Sequence, residues 1–243
     1  MCGRYVSVRS DADLVREFNA SDATDSQSPE PDYNVAPTKP VRIVVNRRLR
    51  DEAGERTGEP VRQLRVASWG LVPSWAKDRR TAGRMFNARA ESLRTSGAFR
   101  RAYASRRCLV PADGWYEWGP ADTGTGKQAY YMTASDGHLL AFAGLYEFWG
   151  EPVLTTCTIV TVDSAGVLEQ IHDRMPLLVP RDAWAQWLDP AVRDPGELLR
   201  PWDQVRGEQL EVRPISNAVN DVHNNGAALV EPTAPRVEAQ SLF

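Results

Sequence analysis

Residues 153–162, VLTTCTIVTV, form a strongly β-branched run, and a run of this kind reads as a buried strand. The segments VRIVVNR (41–47) and VRQLRVASWGLV (61–72) are also strand-like, with LRDEAGERTGEP (49–60) between them as a long hairpin tip. AYYMTASDGHLLAFAGLYEFW (129–149) predicts two strands around a Ser135-Asp136-Gly137 turn, and EQLEVRPIS (208–216) predicts a late strand. Helical signals are few and short. In SDADLVREFN (10–19), Ser10 is placed to cap the helix, and Leu14, Val15 and Phe18 share one face. RDAWAQWLD (181–189) is the other. ASDATDSQSPEPD (20–32) is polar and turn-rich, hence a loop. Many strands, short helices and no βαβ rhythm predict an α+β fold with a mostly antiparallel, curved sheet. Residues 1–228 read as one domain and 229–243, LVEPTAPRVEAQSLF, as a tail.

Several function classes are disfavoured by simple counts. No stretch of eighteen apolar residues is present, so no membrane span is expected. The first residues lack the basic and apolar regions of a signal peptide. Three cysteines (Cys2, Cys108, Cys157), none in a CxxC, do not make a paired disulfide framework, and three histidines make a structural zinc site improbable. A reducing cytoplasm is the expected compartment, and no cofactor is called for. The net charge of −3 argues against a general nucleic-acid coat, yet residues 77–107 hold ten basic side chains against Asp78 and Glu91. That segment is +8 and the remainder −11, the distribution of a phosphate-binding surface on an acidic body. An arginine-rich solvated face gives the same count.

Chemistry concentrates in four patches where polar residues interrupt aromatic or apolar sequence: MCGRY (1–5), FNARAES (86–92), ADGWYEW (112–118) and IHDRMP (171–176). Each has a plain structural reading. Asn87 suits a turn, Glu117 the outward position of an alternating strand, His172 a satisfied core histidine or a helix cap, and Cys2 an accident of sequence. Taken together, cysteine, asparagine, glutamate and histidine supply a nucleophile, proton carriers and an oxygen-polarising group. With Met1 removed, Cys2 would present a thiol and a free α-amine on adjacent carbons.

MCGRY, YNVAPT (33–38), WGLVPSWAKD (69–78), FNARAES, RRCLVPADGWYEW (106–118) and IHDRMPLLVP (171–180) resemble, in order, the successive motifs of the SOS-response-associated peptidase (SRAP) family, also described as abasic-site processing proteins. The resemblance runs from residue 2 to about residue 225. It implies a single α+β domain with a barrel-like, mostly antiparallel core and peripheral short helices. It also implies a positively charged cleft for single-stranded DNA and covalent capture of abasic sites by the N-terminal cysteine. By position, Cys2 matches the family's nucleophile, and Asn87, Glu117 and His172 its other catalytic residues. Arg4, Trp75 and Arg89 match DNA-contacting positions, with Thr161 near the lesion. Some members carry a second tryptophan where this chain has Ala76, which weakens stacking on one side of the lesion.

These residue types suit that chemistry. An α-amine with an unperturbed pKa of about 7.7–8.0 is partly neutral near pH 7, unlike lysine at about 10.4, and attacks the ring-opened sugar aldehyde. The adjacent thiol closes the imine to a thiazolidine, an intramolecular step favoured by proximity. Glu117, sheltered by its neighbours Tyr116 and Trp118, would shuttle protons, Asn87 would hold the sugar oxygen or the thiol, and His172 would protonate the opened sugar or assist reversal. The family's peptidase label implies removal of its own Met1, although methionine aminopeptidase, which cleaves before a small second residue such as cysteine, suffices. Two other classes compete: an N-terminal-nucleophile glutamine amidotransferase, whose later His-Thr-Arg and Asn-Gly-Glu pieces are missing, and a non-catalytic single-stranded DNA-binding module. The expected partner is single-stranded DNA containing abasic sites in the cytoplasm, associated with the nucleoid. EAQSLF at the end resembles sliding-clamp-binding peptides through Gln240, Leu242 and Phe243, one residue short of the commonest spacing.

Overall fold

The β-branched run at 153–162 forms a strand in the wall of a closed β-barrel, buried from Thr156 to Val162, while Val153 at its start is exposed. The computed structural model describes residues 2–50, 55–121, 125–199 and 210–233. In chain order the elements are β1 (Tyr5–Ser7), α1 (Asp11–Phe18), β2 (Ser21–Asp22), β3 (Asp32–Val35), β4 (Pro40–Arg50), β5 (Arg56–Trp69), β6 (Asn87–Arg89), α2 (Arg100–Ser105), β7 (Arg107–Ala112), β8 (Gly114–Pro120), β9 (Lys127–Ala134), β10 (Leu140–Trp149), β11 (Leu154–Asp163), β12 (Arg174–Pro176), α3 (Trp184–Leu188) and β13 (Leu210–Ile215).

Strands β11, β10, β7, β4 and β5 pair in that order, all antiparallel. β5 then pairs back onto β11 in parallel, Ser68 opposite Thr156 and Trp69 opposite Cys157. That last pairing closes a ring of five strands and leaves it without a free edge. β2, β6 and β12 are added to it. A second sheet, β13-β9-β8-β1-β3, covers one side. Because the barrel is covered from outside, β7 and most of β10 and β11 are buried at every position, which is why their sequences show apolar runs instead of alternation.

The main core lies between the sheets. Tyr5, Trp69, Phe142 and Trp115 meet edge to face, with ring centroids 5.3 Å apart for Tyr5–Trp69 and 6.0 Å for both Tyr5–Phe142 and Trp115–Phe142. A second cluster, which includes Val6, Tyr116, Tyr131, Ile215 and Val219, packs separately from this core. α1 is the expected helix. Ser10 accepts the Asp13 amide, and Leu14 and Phe18 face inward, Phe18 stacking on Trp184 at 4.4 Å. The expected helix at 181–189 is one tight turn, Arg181–Ala183, followed by α3.

The reading of 129–149 as two strands about a turn needs a correction in its pairing. The reversal at Gly137 exists, with φ of 73°, but β9 and β10 are not partners. β9 pairs β8 and β13, whereas β10 pairs β7 and β11. A turn signal specifies that the chain reverses, not which strand lies alongside; here the segment 135–139 carries the chain from one sheet to the other. In the 49–60 stretch, β4 and β5 extend further than the flanking apolar runs suggest, with Leu49 opposite Thr57 and Arg50 opposite Arg56. Residues 51–54 at its tip lie outside the described residues. Towards the end of the chain, Leu229 is buried and Thr233 donates its amide to the Pro214 carbonyl at 3.0 Å. Gln240, Leu242 and Phe243 lie outside the described residues. Among the described residues no helix is long and apolar enough to cross a membrane.

Candidate active site

The strand pairing brings three of the four chemical patches together. β1 runs antiparallel to β8, Tyr5 opposite Trp115 and Val6 opposite Gly114, and the Tyr116 amide donates to the Arg4 carbonyl at 3.0 Å. Continuing that register sets Gly3 opposite Glu117, beside Cys2. Cys2 is fully buried, and the Asn87 side-chain amide donates to its carbonyl at 2.8 Å. Asn87 reaches this point because β6 lies parallel to β11, with Asn87 opposite Ile159 and Arg89 opposite Thr161. Its own Oδ1 is buried and has no partner among the described residues, so an acceptor remains open beside Cys2.

Glu117 is 5 % exposed, so it is not the outward member of an alternating strand. Nor do Tyr116 and Trp118 shelter it. On a strand, neighbours point to opposite faces, and these two pack with the second cluster. The shelter comes from Trp115 and Met132, which line a narrow pocket with Glu117, His172, Ser164, Leu168, Ile171, Arg174 and Met175. This pocket joins the fourth patch to the site. Burial pushes the Cys2 thiol well above its ordinary range; the Glu117 charge adds to the effect, and a backbone hydrogen bond from Arg4 opposes it. The resting sulfur is therefore a protonated thiol beside Glu117. Cys108 and Cys157 are buried free thiols of the barrel wall, both pushed up by burial.

The His172 ring is held through Nδ1, which lies 2.9 Å from the Arg174 backbone amide and 2.7 Å from the Asp173 carboxylate. One nitrogen cannot accept from the first and donate to the second together. The amide bond belongs to the neutral ring with its proton on Nε2, and the carboxylate contact to a ring protonated at Nδ1.

The sequence-predicted DNA positions divide in two. Trp75 is 64 % exposed on a turn pinned by two hydrogen bonds: Ala76 N–H to the Pro73 carbonyl at 2.9 Å, and Trp149 Nε1–H to the Ala76 carbonyl at 2.7 Å. Gly70 permits this excursion from the barrel, having φ of 135° and no room for a Cβ, which would stand 2.4 Å from the Ala82 oxygen. Arg89 is exposed and makes no ion pair among the described residues. Arg4 is instead half-buried and built into the fold. Its Nη1 donates to Asn34 Oδ1 and to the Val219 carbonyl, both at 2.7 Å, and its guanidinium lies 5.8 Å from the Trp118 ring. Thr161 is fully buried, and its hydroxyl has no partner among the described residues.

The +8 segment is likewise not one continuous free surface. Arg107 is buried and donates to the carbonyls of Tyr103, Trp187, Asp189 and Val192. Arg106 pairs with Glu147 at 2.7 Å, Arg94 with Asp194 at 2.8 Å and Arg80 with Asp78 at 2.8 Å. Lys77, Arg79, Arg84, Arg89, Arg100 and Arg101 remain exposed without an ion pair among the described residues.

Two residues that composition did not single out organise the site. Arg174 donates to Glu91 through both terminal nitrogens, at 2.9 and 3.1 Å, to Asp163 at 2.5 Å and to the Thr161 carbonyl at 2.6 Å. It thereby ties the segment after Arg89 to β11, which bears Thr161, and to β12, which follows His172. Burial raises the Glu91 carboxyl, but the Arg174 hydrogen bond and charge, a backbone hydrogen bond and the Arg89 charge together offset this and hold it below its usual value. Asn34 is fully buried and anchors Arg4. Both stood inside quoted motifs, IHDRMP and YNVAPT, and that was the available signal.

Comparison with known proteins agrees with this architecture. A family model described as "SOS response associated peptidase (SRAP)" matches residues 1–222. The chain is 37 % identical over 237 residues to abasic site processing protein YoqW of Bacillus subtilis (strain 168), covering 95 % of this chain and 99 % of that one. It is 30 % identical over 272 residues to abasic site processing protein HMCES of Gallus gallus, covering 96 % and 78 % respectively. A solved protein from Bacteroides thetaiotaomicron superposes with a TM-score of 0.78 over 96 % of this chain and 100 % of that one; at 21 % identity this likeness concerns the fold alone.

Proposed function

This chain belongs to the SOS response associated peptidase (SRAP) family, and on that premise we propose that it processes abasic sites in single-stranded DNA by forming a covalent crosslink through Cys2. The observation that carries the reading is the convergence at Cys2: the Asn87 amide on its carbonyl at 2.8 Å, and the Glu117 carboxylate close enough to raise its thiol.

The reaction needs Met1 removed, because an amide nitrogen does not condense with an aldehyde. The freed amine of Cys2 attacks C1′ of the ring-opened sugar to give a carbinolamine, which loses water to become an imine. The sulfur then adds to the imine carbon and its proton ends on the ring nitrogen, so aldehyde and aminothiol become thiazolidine and water. Since burial keeps the thiol protonated, ring closure requires a local base, and Glu117 fills that role; earlier it takes the proton that the attacking amine loses and passes it to the departing hydroxyl, returning to carboxylate. Asn87 fixes the Cys2 backbone and offers Oδ1 to a sugar hydroxyl. His172, sharing the narrow pocket with Glu117, protonates the opened sugar. Arg89 contacts a phosphate and Trp75 stacks on an unpaired base. Arg4 serves this site by holding the segment that carries Cys2 into β1. Thr161, beneath Arg89, offers its buried hydroxyl to the lesion.

Removal of its own Met1 would be the peptidase activity in the family's name. A clamp contact through Gln240, Leu242 and Phe243 and a nucleoid location are further parts of this reading. The decisive experiment mixes one abasic oligonucleotide with two preparations of verified N-terminal mass, one beginning at Cys2 with a C-terminal tag, the other retaining an N-terminal extension. Both should bind single-stranded DNA. Only the first should give an adduct that survives heating on a denaturing gel without borohydride. Equal crosslinking by the extended protein would assign the chemistry to an internal nucleophile and overturn the reading. Binding without any adduct would favour a non-catalytic module.

A further inference from the structure

A cavity of about 190 Å³ opens between β1, β3, β4 and the segment 29–32, and none of Cys2, Asn87, Glu117 or His172 lines it. Two buried donors in its lining have no acceptor among the described residues. Arg42 is 5 % exposed; its Nε is committed to Asp11 at 2.5 Å and its Nη2 to the Pro29 carbonyl at 2.7 Å, which leaves Nη1 buried and unpartnered. Tyr5 is fully buried, its ring is wedged against Trp69 and Phe142, and its hydroxyl has no partner among the described residues. Burial pushes this phenol well above its ordinary value, so at neutral pH it remains an O–H donor. A buried donor left unmatched costs about 1–3 kcal/mol, and native proteins seldom leave two in one cavity.

Both donors ask for an acceptor oxygen, and the rest of the wall decides what carries it. Pro29, Pro31, Pro40, Val35 and Val41 contribute apolar surface. Asp32 and Glu30 also line the cavity, Asp32 already paired with Lys39 at 2.7 Å. Ser7, Lys39 and Asn225 complete the lining, with Lys39 held by Asp32 and the Asn225 amide by the Pro31 carbonyl. A phosphate would turn most of its remaining oxygens onto prolines, which have no amide N–H, and would bring a double negative charge beside two carboxylates. A singly charged carboxylate with a short hydrocarbon tail matches both parts: one head for two donors, and a tail for the proline and valine wall. We propose that this cavity is a binding site for a small aliphatic monocarboxylate, whose head is held by Tyr5 and Arg42. The site goes beyond the DNA reading and does not depend on it. Its ligand would bridge β1, which begins three residues after Cys2, to β4.

The test titrates the full-length protein with butyrate, acetate and inorganic phosphate at matched ionic strength, using calorimetry and the melting temperature. Butyrate should bind saturably and raise the melting temperature, acetate should bind more weakly, and phosphate should match the sodium chloride control. Arg42→Met strips Asp11 of its partner and risks the fold, so the informative variant is Tyr5→Phe, which removes a single oxygen and keeps the ring. Folded Tyr5→Phe, checked by near-ultraviolet circular dichroism, should bind butyrate at least about fivefold more weakly. Absence of saturable butyrate binding would mean that the cavity holds water only and would overturn the proposal. Phosphate binding at least as tight as butyrate would also overturn it, as would an unchanged affinity in Tyr5→Phe.

Discussion

Replacing Asn34 by alanine tests whether the segment 217–224 and the N-terminal strand are locked by a single buried side chain. Asn34 is fully buried. Its Nδ2 donates to the carbonyls of Asp221 at 2.9 Å and Asn224 at 3.0 Å, with a longer contact to Val219 at 3.3 Å. Its Oδ1 accepts from the Arg4 guanidinium at 2.7 Å. Two neutral bonds contribute about 1 kcal/mol each, and one to a charged donor about 1.5–3 kcal/mol. Arg4 keeps its bond to the Val219 carbonyl, and the Asp221 and Asn224 positions reach solvent, so part of the loss is recovered. The expected destabilisation is about 3 kcal/mol, a fall in melting temperature of roughly 6–12 °C for a chain of this size. Asn34→Asp sharpens the test. It preserves the shape and strengthens the contact to Arg4, but turns a carboxylate oxygen onto three carbonyls. It should therefore be at least as destabilising as alanine, although a simple charge-pairing view expects the reverse. Urea unfolding with linear extrapolation measures both variants. A loss below about 1 kcal/mol for Asn34→Ala, or an Asn34→Asp protein more stable than Asn34→Ala, would refute the lock.

Glu117→Gln should slow adduct formation by roughly 100-fold or more in single-turnover assays while DNA affinity changes little, because a proton carrier is lost and no cation is removed. Arg89→Ala should leave the adduct rate at saturating DNA nearly unchanged, and weaken binding with a salt slope reduced by about one. Trp75→Ala should weaken single-strand binding by about 1–3 kcal/mol without altering that slope; an altered slope would mean that the turn positions a phosphate contact. The native Glu91 carboxyl is depressed, so its pairing with Arg174 stabilises the fold above the ordinary glutamate value of about 4.3, and that contribution fades as pH falls through the lower native value. The stability gap between wild type and Glu91→Gln should therefore be constant near neutrality and shrink only in acid; a gap that widens on acidification would reverse the assignment.

The chain's own sequence determined the local elements. Ser10 and Asp13 with Leu14 and Phe18 set α1, the β-branched run at 153–162 set β11, and Cys2, Asn87, Glu117 and His172 stood out because each is a reactive type amid apolar neighbours. Local chemistry suffices there, since capping, backbone preference and reactivity are properties of a few adjacent residues. Pairing was different. Gly137 marked a reversal, yet only the assembled sheets separate β9 from β10, because a strand's partner is chosen by apolar faces far away in sequence. The same limit hid the direction of Glu117. Tyr116 and Trp118 are its neighbours in the chain, but Trp115 and Met132 are its neighbours in space, since a strand alternates its side chains and β9 lies alongside. Charge counting failed for a related reason. Arg4, Arg106 and Arg107 count as cations in the sequence, whereas the fold engages them with Asn34, Glu147 and backbone carbonyls. Whether an arginine faces solvent or is enclosed depends on acceptors supplied by distant segments, and only the closed barrel brings those segments within hydrogen-bond reach.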